Sequence, residues 1–195
     1  MLFNRKKFGL AALGVMLAGS LVGGKALAGD LIVYTAVEPE ELTGFAKAFE
    51  AKHPDVKITW VRDSTGIMTA KLLAEGKNTQ ADIVWGLAAT SLLLLKDADM
   101  LEPYAPKGVE KLDAKYVDGD KPPSWVGQRA WIASICFNTV EGKKNKLPQP
   151  TSWADLTKPV YKGHIVMPNP ASSGTGFLDV SSWIQMWGEE KAWKF

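Results

Sequence analysis

Residues 56–76 read VKITWVRDSTGIMTAKLLAEG, and the order of parts in this stretch sets the fold class. Val56 to Val61 alternates apolar and polar side chains, the period of a half-buried strand. Asp63-Ser64-Thr65-Gly66 follows directly. Thr65 to Glu75 then reads as a helix with Ile67, Ala70, Leu73 and Ala74 on one side, and Gly76 is a natural C-terminal stop. A strand running through a short hydroxyl- and glycine-bearing turn into a helix is the repeating unit of an α/β protein.

The same unit recurs on both sides. Leu31 to Thr35 is a short β-rich run. Glu38 to Lys52 carries Leu42, Phe45, Ala46 and Phe49 at helical spacing, and ends before Pro54 because the residue preceding proline avoids the helical region. Ala81 to Trp85 reads as a third strand and Thr90 to Asp97 as a third helix. The β-α-β-α-β-α order predicts a parallel sheet covered by helices. From Leu101 to Trp125 four prolines loosen the pattern into a surface connection. Beyond it, Trp131 to Asn138 and Gly163 to Met167 read as strands, with Cys136 a small buried hydrophobe inside the first. Ser152 to Leu156 reads as a short capped helix and Thr175 to Trp187 as a longer one. The basic run Lys143 to Lys146 reads as a solvated loop. The expected division is residues 1–28 as a leader, 29–123 as one α/β region and 124–195 as the beginning of a second.

The leader is an export signal. Arg5, Lys6 and Lys7 precede an uncharged stretch from Phe8 to Gly24, and Ala26-Leu27-Ala28 is a small-x-small cleavage signature. Glycines dilute the run below what a membrane span requires. No cysteine follows the cleavage site, so a lipid anchor there is not expected, and a soluble periplasmic product is. The single cysteine excludes an intramolecular disulfide framework. Four of the 23 basic residues and none of the 21 acidic ones precede Gly29, so cleavage turns a formal +2 into −2. So balanced a charge gives no support to nucleic-acid or membrane-surface partners. The chain stops at Phe195 straight after a helix-like segment, Phe177 to Lys194, and is expected to be part of a longer protein.

Two segments point to a ligand. Asp63 to Gly66 and Asn169 to Gly176 each place hydroxyls and glycines between a strand and a helix. A helix N-terminus exposes unpaired N–H groups and a partial positive charge of roughly +0.5, which suits an oxyanion. Each segment alone is equally well read as ordinary capping, worth ~1 kcal/mol. Both lie at the carboxyl ends of strands, where open α/β sheets bind ligands. The third strand reaches a similar place at Trp85-Gly86-Leu87, with Trp85 either a wall of the cleft or core. Glu38 either complements a helix dipole or receives a ligand's ammonium group, and Asp179 carries the same ambiguity. No phosphate-loop motif, GxGxxG, HExxH or GxSxG is present, and His53 and His164 are not placed for catalysis.

Leu31 to Ala36, Trp60 to Gly66, Ala81 to Thr90, Thr151 to Leu156 and Val166 to Gly176 resemble the N-terminal half of a periplasmic substrate-binding protein of an ABC transporter, in the superfamily of the ferric-iron-binding proteins. Within it they are most similar to the 2-aminoethylphosphonate-binding proteins. The resemblance implies an α/β, two-lobed periplasmic-binding-protein fold of type II kind, its second lobe and return segments truncated here. It implies a monomer that closes on 2-aminoethylphosphonate and delivers it to an inner-membrane permease, with no cofactor and no catalysis. Ser64, Thr65, Gly66, Ser173, Gly174 and Thr175 would hold the phosphonate, and Glu38, with Thr35 nearby, the amine. Ferric iron or another anion stays open as the ligand. So does a secreted hydrolase of phosphate or phosphonate esters, with Ser173 as nucleophile.

Overall fold

The computed structural model describes residues 29–195. The export signal expected at residues 1–28 lies outside the described residues. The first region is a three-stranded parallel sheet of order β2-β1-β3, with β1 at Asp30–Thr35, β2 at Lys57–Arg62 and β3 at Ile83–Trp85. Helices α1 (Pro39–Glu50), α2 (Thr65–Glu75) and α3 (Ala89–Asp97) alternate with the strands. Val33 pairs with Trp60 on one side and with Ile83 on the other, which makes β1 the central strand. Its inner residues Val33, Tyr34 and Thr35 are accordingly buried.

The core gathers Tyr34, Met68, Leu72, Leu87 and Leu95 between the sheet, α2 and α3. On α2 the buried residues are Met68, Thr69 and Leu72, whereas Ile67 and Leu73 of the expected stripe are 45% and 43% exposed. The helix is apolar almost all round, so periodicity has no unique phase. Contact with Tyr34 and Leu95 chooses the face. On α1 only Leu42 is buried, and Phe45 instead lies edge-on against Trp85 at 4.8 Å.

The second region departs further from expectation. Neither Trp131 to Asn138 nor Gly163 to Met167 forms a strand. A ladder needs a partner, and none pairs with them among the described residues. Ile132 and Val166 are strongly exposed, and Cys136 is exposed rather than buried for the same reason. Lys143 and Lys144 lie in the last turn of a short helix, α4 (Thr139–Lys144), because Asn138 caps it by accepting from the N–H groups of Val140 and Glu141. Ser152 and Asp155 form a reciprocal capping box on a 3₁₀ turn at Trp153–Thr157, as the short capped helix requires. The final helical segment is two helices, α5 (Gly174–Trp187) and α6 (Glu189–Lys194), broken at Gly188 with φ +81°. No helix among the described residues is long and apolar enough to cross a membrane.

Candidate functional site

The two hydroxyl- and glycine-bearing turns meet. Ser64, the N-cap of α2, makes no side-chain cap. Its Oγ donates instead to the carbonyl of Ser172 at 2.8 Å, and the Gly66 N–H donates to the same carbonyl at 2.9 Å. One carbonyl of the second turn is thereby fastened to the start of α2, more than a hundred residues away. Only glycine fits at 66, since a Cβ there would lie 2.7 Å from the Ala171 carbonyl oxygen and 2.8 Å from Ser172 backbone atoms. Ser173 caps α5, its Oγ accepting from the Gly176 N–H at 3.4 Å.

Beside this junction lies a cleft of about 320 Å³. Glu38, Ser64, Thr65, Ser173, Gly174 and Thr175 line it, so six of the eight residues singled out from the sequence share one wall. The N–H groups of Thr65, Gly174 and Thr175 fall in the first turns of α2 and α5, where no intrahelical acceptor exists. The other two, Thr35 and Gly66, do not line the cleft. Thr35 is fully buried, and its Oγ1 accepts from the Val37 N–H at 3.0 Å. Gly66 holds the turns together as described.

Two arginines in the lining carried no weight in the sequence reading. Arg62 ends β2, immediately before Asp63, and its Nη2 donates to Glu38 Oε2 at 2.6 Å. That position, the carboxyl end of a strand, was the available signal. Arg129 reaches the cleft from the connection after the prolines and grips Glu41 of α1 through two bonds, of 3.1 and 2.9 Å. Those partners are 88 residues apart, and no local pattern announces them. Trp131 completes the rim. Gly86, at φ +71°, is where β3 passes so close to Val37 that a Cβ would meet its side chain at 2.2 Å.

The arrangement combines two guanidinium groups, four hydroxyls and the open ends of two helices. Donors of these kinds can surround an oxyanion through charge-assisted bonds, each worth about 1.5–3 kcal/mol. Neither histidine lines the cleft. Among the described residues no group of three or more His, Cys, Asp or Glu side chains is placed to hold a metal ion. Asp179, one turn into α5, is buried, and desolvation pushes its carboxyl pKa up.

Comparison with known proteins agrees with this architecture. The structure of the periplasmic binding protein AfuA from Actinobacillus pleuropneumoniae, determined with fructose-6-phosphate bound, superposes with a TM-score of 0.71 at 31% identity, covering 85% of this chain and 52% of that one. Iron-bound HitA from Pseudomonas aeruginosa shares the fold with a TM-score of 0.62 at 20% identity, over 84% of this chain and 51% of that one. A probable ABC transporter periplasmic-binding protein of Sinorhizobium fredii is 29% identical over 86% of this chain and 44% of its own. The chain spans about half the length of the curated relatives it matches. Its fold is that of the periplasmic binding proteins. With residues 78–195 matching the family profile over more than half of the sequence, the chain belongs to the bacterial extracellular solute-binding protein family.

Proposed function

We propose that this protein captures a small solute bearing a phosphate or phosphonate group in the periplasm, as a monomer, and delivers it to an ABC importer. One observation carries the reading. Arg62 and Arg129 share a cleft with the helix starts at Ser64-Thr65 and Ser173-Gly174-Thr175. A tetrahedral oxyanion can draw on all of these donors at once, the guanidinium groups through the N–H bonds that Glu38 and Glu41 leave free. AfuA, a relative with fructose-6-phosphate bound, is consistent with such a ligand.

Calorimetry on the full-length protein tests the proposal. Phosphate monoesters or alkylphosphonates are expected to bind, and Arg62→Gln is expected to weaken them at least tenfold, a loss of about 1.4 kcal/mol. Failure of every phosphorus oxyanion to bind would refute it.

A second, narrower reading makes 2-aminoethylphosphonate the solute. Its support is the Glu38 carboxylate in the cleft wall, which can receive an ammonium group. That carboxylate already accepts from Arg62, so the ammonium would share it. Under this reading 2-aminoethylphosphonate binds much more tightly than ethylphosphonate. Equal affinities would remove the amine-binding role of Glu38.

A further inference from the structure

Each guanidinium group of the cleft is already paired with a carboxylate. Arg62 donates to Glu38 Oε2 at 2.6 Å, and Arg129 donates to both oxygens of Glu41, at 3.1 and 2.9 Å. A third carboxylate, Asp63, accepts from the Ser64 N–H at 2.7 Å, at the start of α2. Glu38, Arg62 and Arg129 are the only charged residues among the described ones that line the cleft itself. The formal charges of these five groups leave no positive excess. What remains for a ligand is the partial positive charge of two helix starts, roughly +0.5 each. That balances at most about one negative charge, whereas a fully ionised phosphate carries about two.

Glu38 adds a second constraint. Arg62 engages its Oε2, and its Oε1 accepts no hydrogen bond among the described residues. A carboxylate oxygen accepts and does not donate. A ligand oxygen that keeps its hydrogen gives this atom an O–H···O⁻ bond of the strong, charge-assisted kind. A ligand oxygen without one sets two negative atoms against each other and is turned away. We propose that the cleft selects phosphorus oxyanions in their singly protonated, singly charged form, with Glu38 Oε1 accepting from the P–O–H, and rejects oxyanions that have no proton to give. The inference rests on the reading of the cleft as a phosphate or phosphonate site, and it adds which ionisation state that site binds. No histidine lines the cleft, so the proton that titrates near neutral pH is the ligand's, lost at about pH 6 by a phosphate monoester. In the narrower reading an ammonium group takes the same place; the probes below carry none.

The test is calorimetry on the full-length protein with two matched pairs of probes, inorganic phosphate with sulfate and methylphosphonate with methanesulfonate. Each pair shares size and tetrahedral shape, and only the phosphorus member holds a proton near neutral pH. At pH 6 each phosphorus acid should bind about tenfold or more tighter than its sulfur counterpart. Raising the pH to 8 should weaken phosphate and methylphosphonate severalfold as the last proton leaves, and should keep the sulfur acids within about twofold. Glu38→Gln should bind sulfate and methanesulfonate about tenfold tighter than the parent does. Its affinity for phosphate should stay within about twofold from pH 6 to pH 8. Sulfur acids that bind the parent as tightly as the phosphorus acids, or phosphorus acids whose affinity holds or rises toward pH 8, would overturn the inference while leaving the anion site intact. A Glu38→Gln protein that still rejects the sulfur acids would overturn the assignment of the proton acceptor to Glu38. Failure of all four probes to bind would overturn the inference, and would take the anion site with it if phosphate monoesters fail too.

Discussion

Arg62 and Glu38 are locked together at the mouth of the cleft: Nη2 donates to Oε2 at 2.6 Å, while Nε donates to the Val37 carbonyl at 3.2 Å. The Glu38 side chain is 65% exposed, so the pair itself adds little stability. Its expected effect is on an anion in the cleft, the ligand proposed above. Glu38 holds the guanidinium over the cleft and partly neutralises it. Glu38→Gln should therefore tighten binding of inorganic phosphate several-fold at low ionic strength, with the gain shrinking as salt rises. Titration of both proteins at two salt concentrations checks this. Weaker phosphate binding in the variant would mean that holding Arg62 in place outweighs neutralising it.

The junction between the two turns gives a matched pair of glycine substitutions. Gly66→Ala drives a methyl group into backbone atoms of Ala171 and Ser172 and must part the turns. A folded protein with ligand affinity reduced at least tenfold is expected. Gly44, inside α1, has open space where its Cβ would be. Gly44→Ala should leave binding unchanged and raise stability by up to about 1 kcal/mol, the helix-propensity difference. Denaturant melts together with calorimetry on each variant separate the two effects.

Thr35 is buried, with its Oγ1 accepting from the Val37 N–H, which gives it a structural role to test. Thr35→Val keeps the shape but strands the buried Val37 N–H, a loss of about 1–3 kcal/mol. Thr35→Ser retains the acceptor and should recover much of it. Chemical denaturation measures the difference. Ligand affinity of the folded Val variant should stay within about twofold, and a larger loss would restore Thr35 to the binding set.

Acid should unfold the protein through identifiable carboxylates. Lys158 and the Thr151 N–H hold the Asp155 carboxyl well below the usual range, and Lys96 with the Ser124 N–H does the same for Asp118. A depressed folded pKa contributes stability above the unfolded value, near 4, and that contribution is lost as pH falls through the folded value. Asp179 runs the other way, because burial raises its pKa, so its charged form opposes folding at neutral pH. Thermal melts from pH 7 to pH 3 should show Asp155→Asn destabilised most at pH 7, with the gap narrowing in acid. Asp179→Asn should be more stable than the parent at pH 7 and lose that advantage at low pH. An Asp179→Asn protein less stable at pH 7 would show the carboxylate to have an unrecognised partner.

Some of the molecule was legible residue by residue. Ser152 and Asp155 are three apart, and a capping box needs only local chain, so it forms where expected. The phase of α2 was not legible, because Ile67 and Met68 are equally apolar and only packing against Tyr34 and Leu95 tells them apart. Residues 131–138 have the composition of a strand. Composition cannot supply the neighbouring strand that a ladder requires, and Cys136 is exposed as a result.

Local covalent order determined the alternation of strand, turn and helix, and with it both hydroxyl-bearing helix starts, since capping, periodicity and turn chemistry act over a few residues. The family resemblance rested on those same local runs. Tertiary structure alone decided that the two starts touch through the Ser172 carbonyl, that Thr35 faces inward, and that Arg62 and Arg129 join the cleft. Such relations join residues tens to more than a hundred positions apart, and they are fixed by packing and charge pairing in space, which leave no periodic trace along the chain.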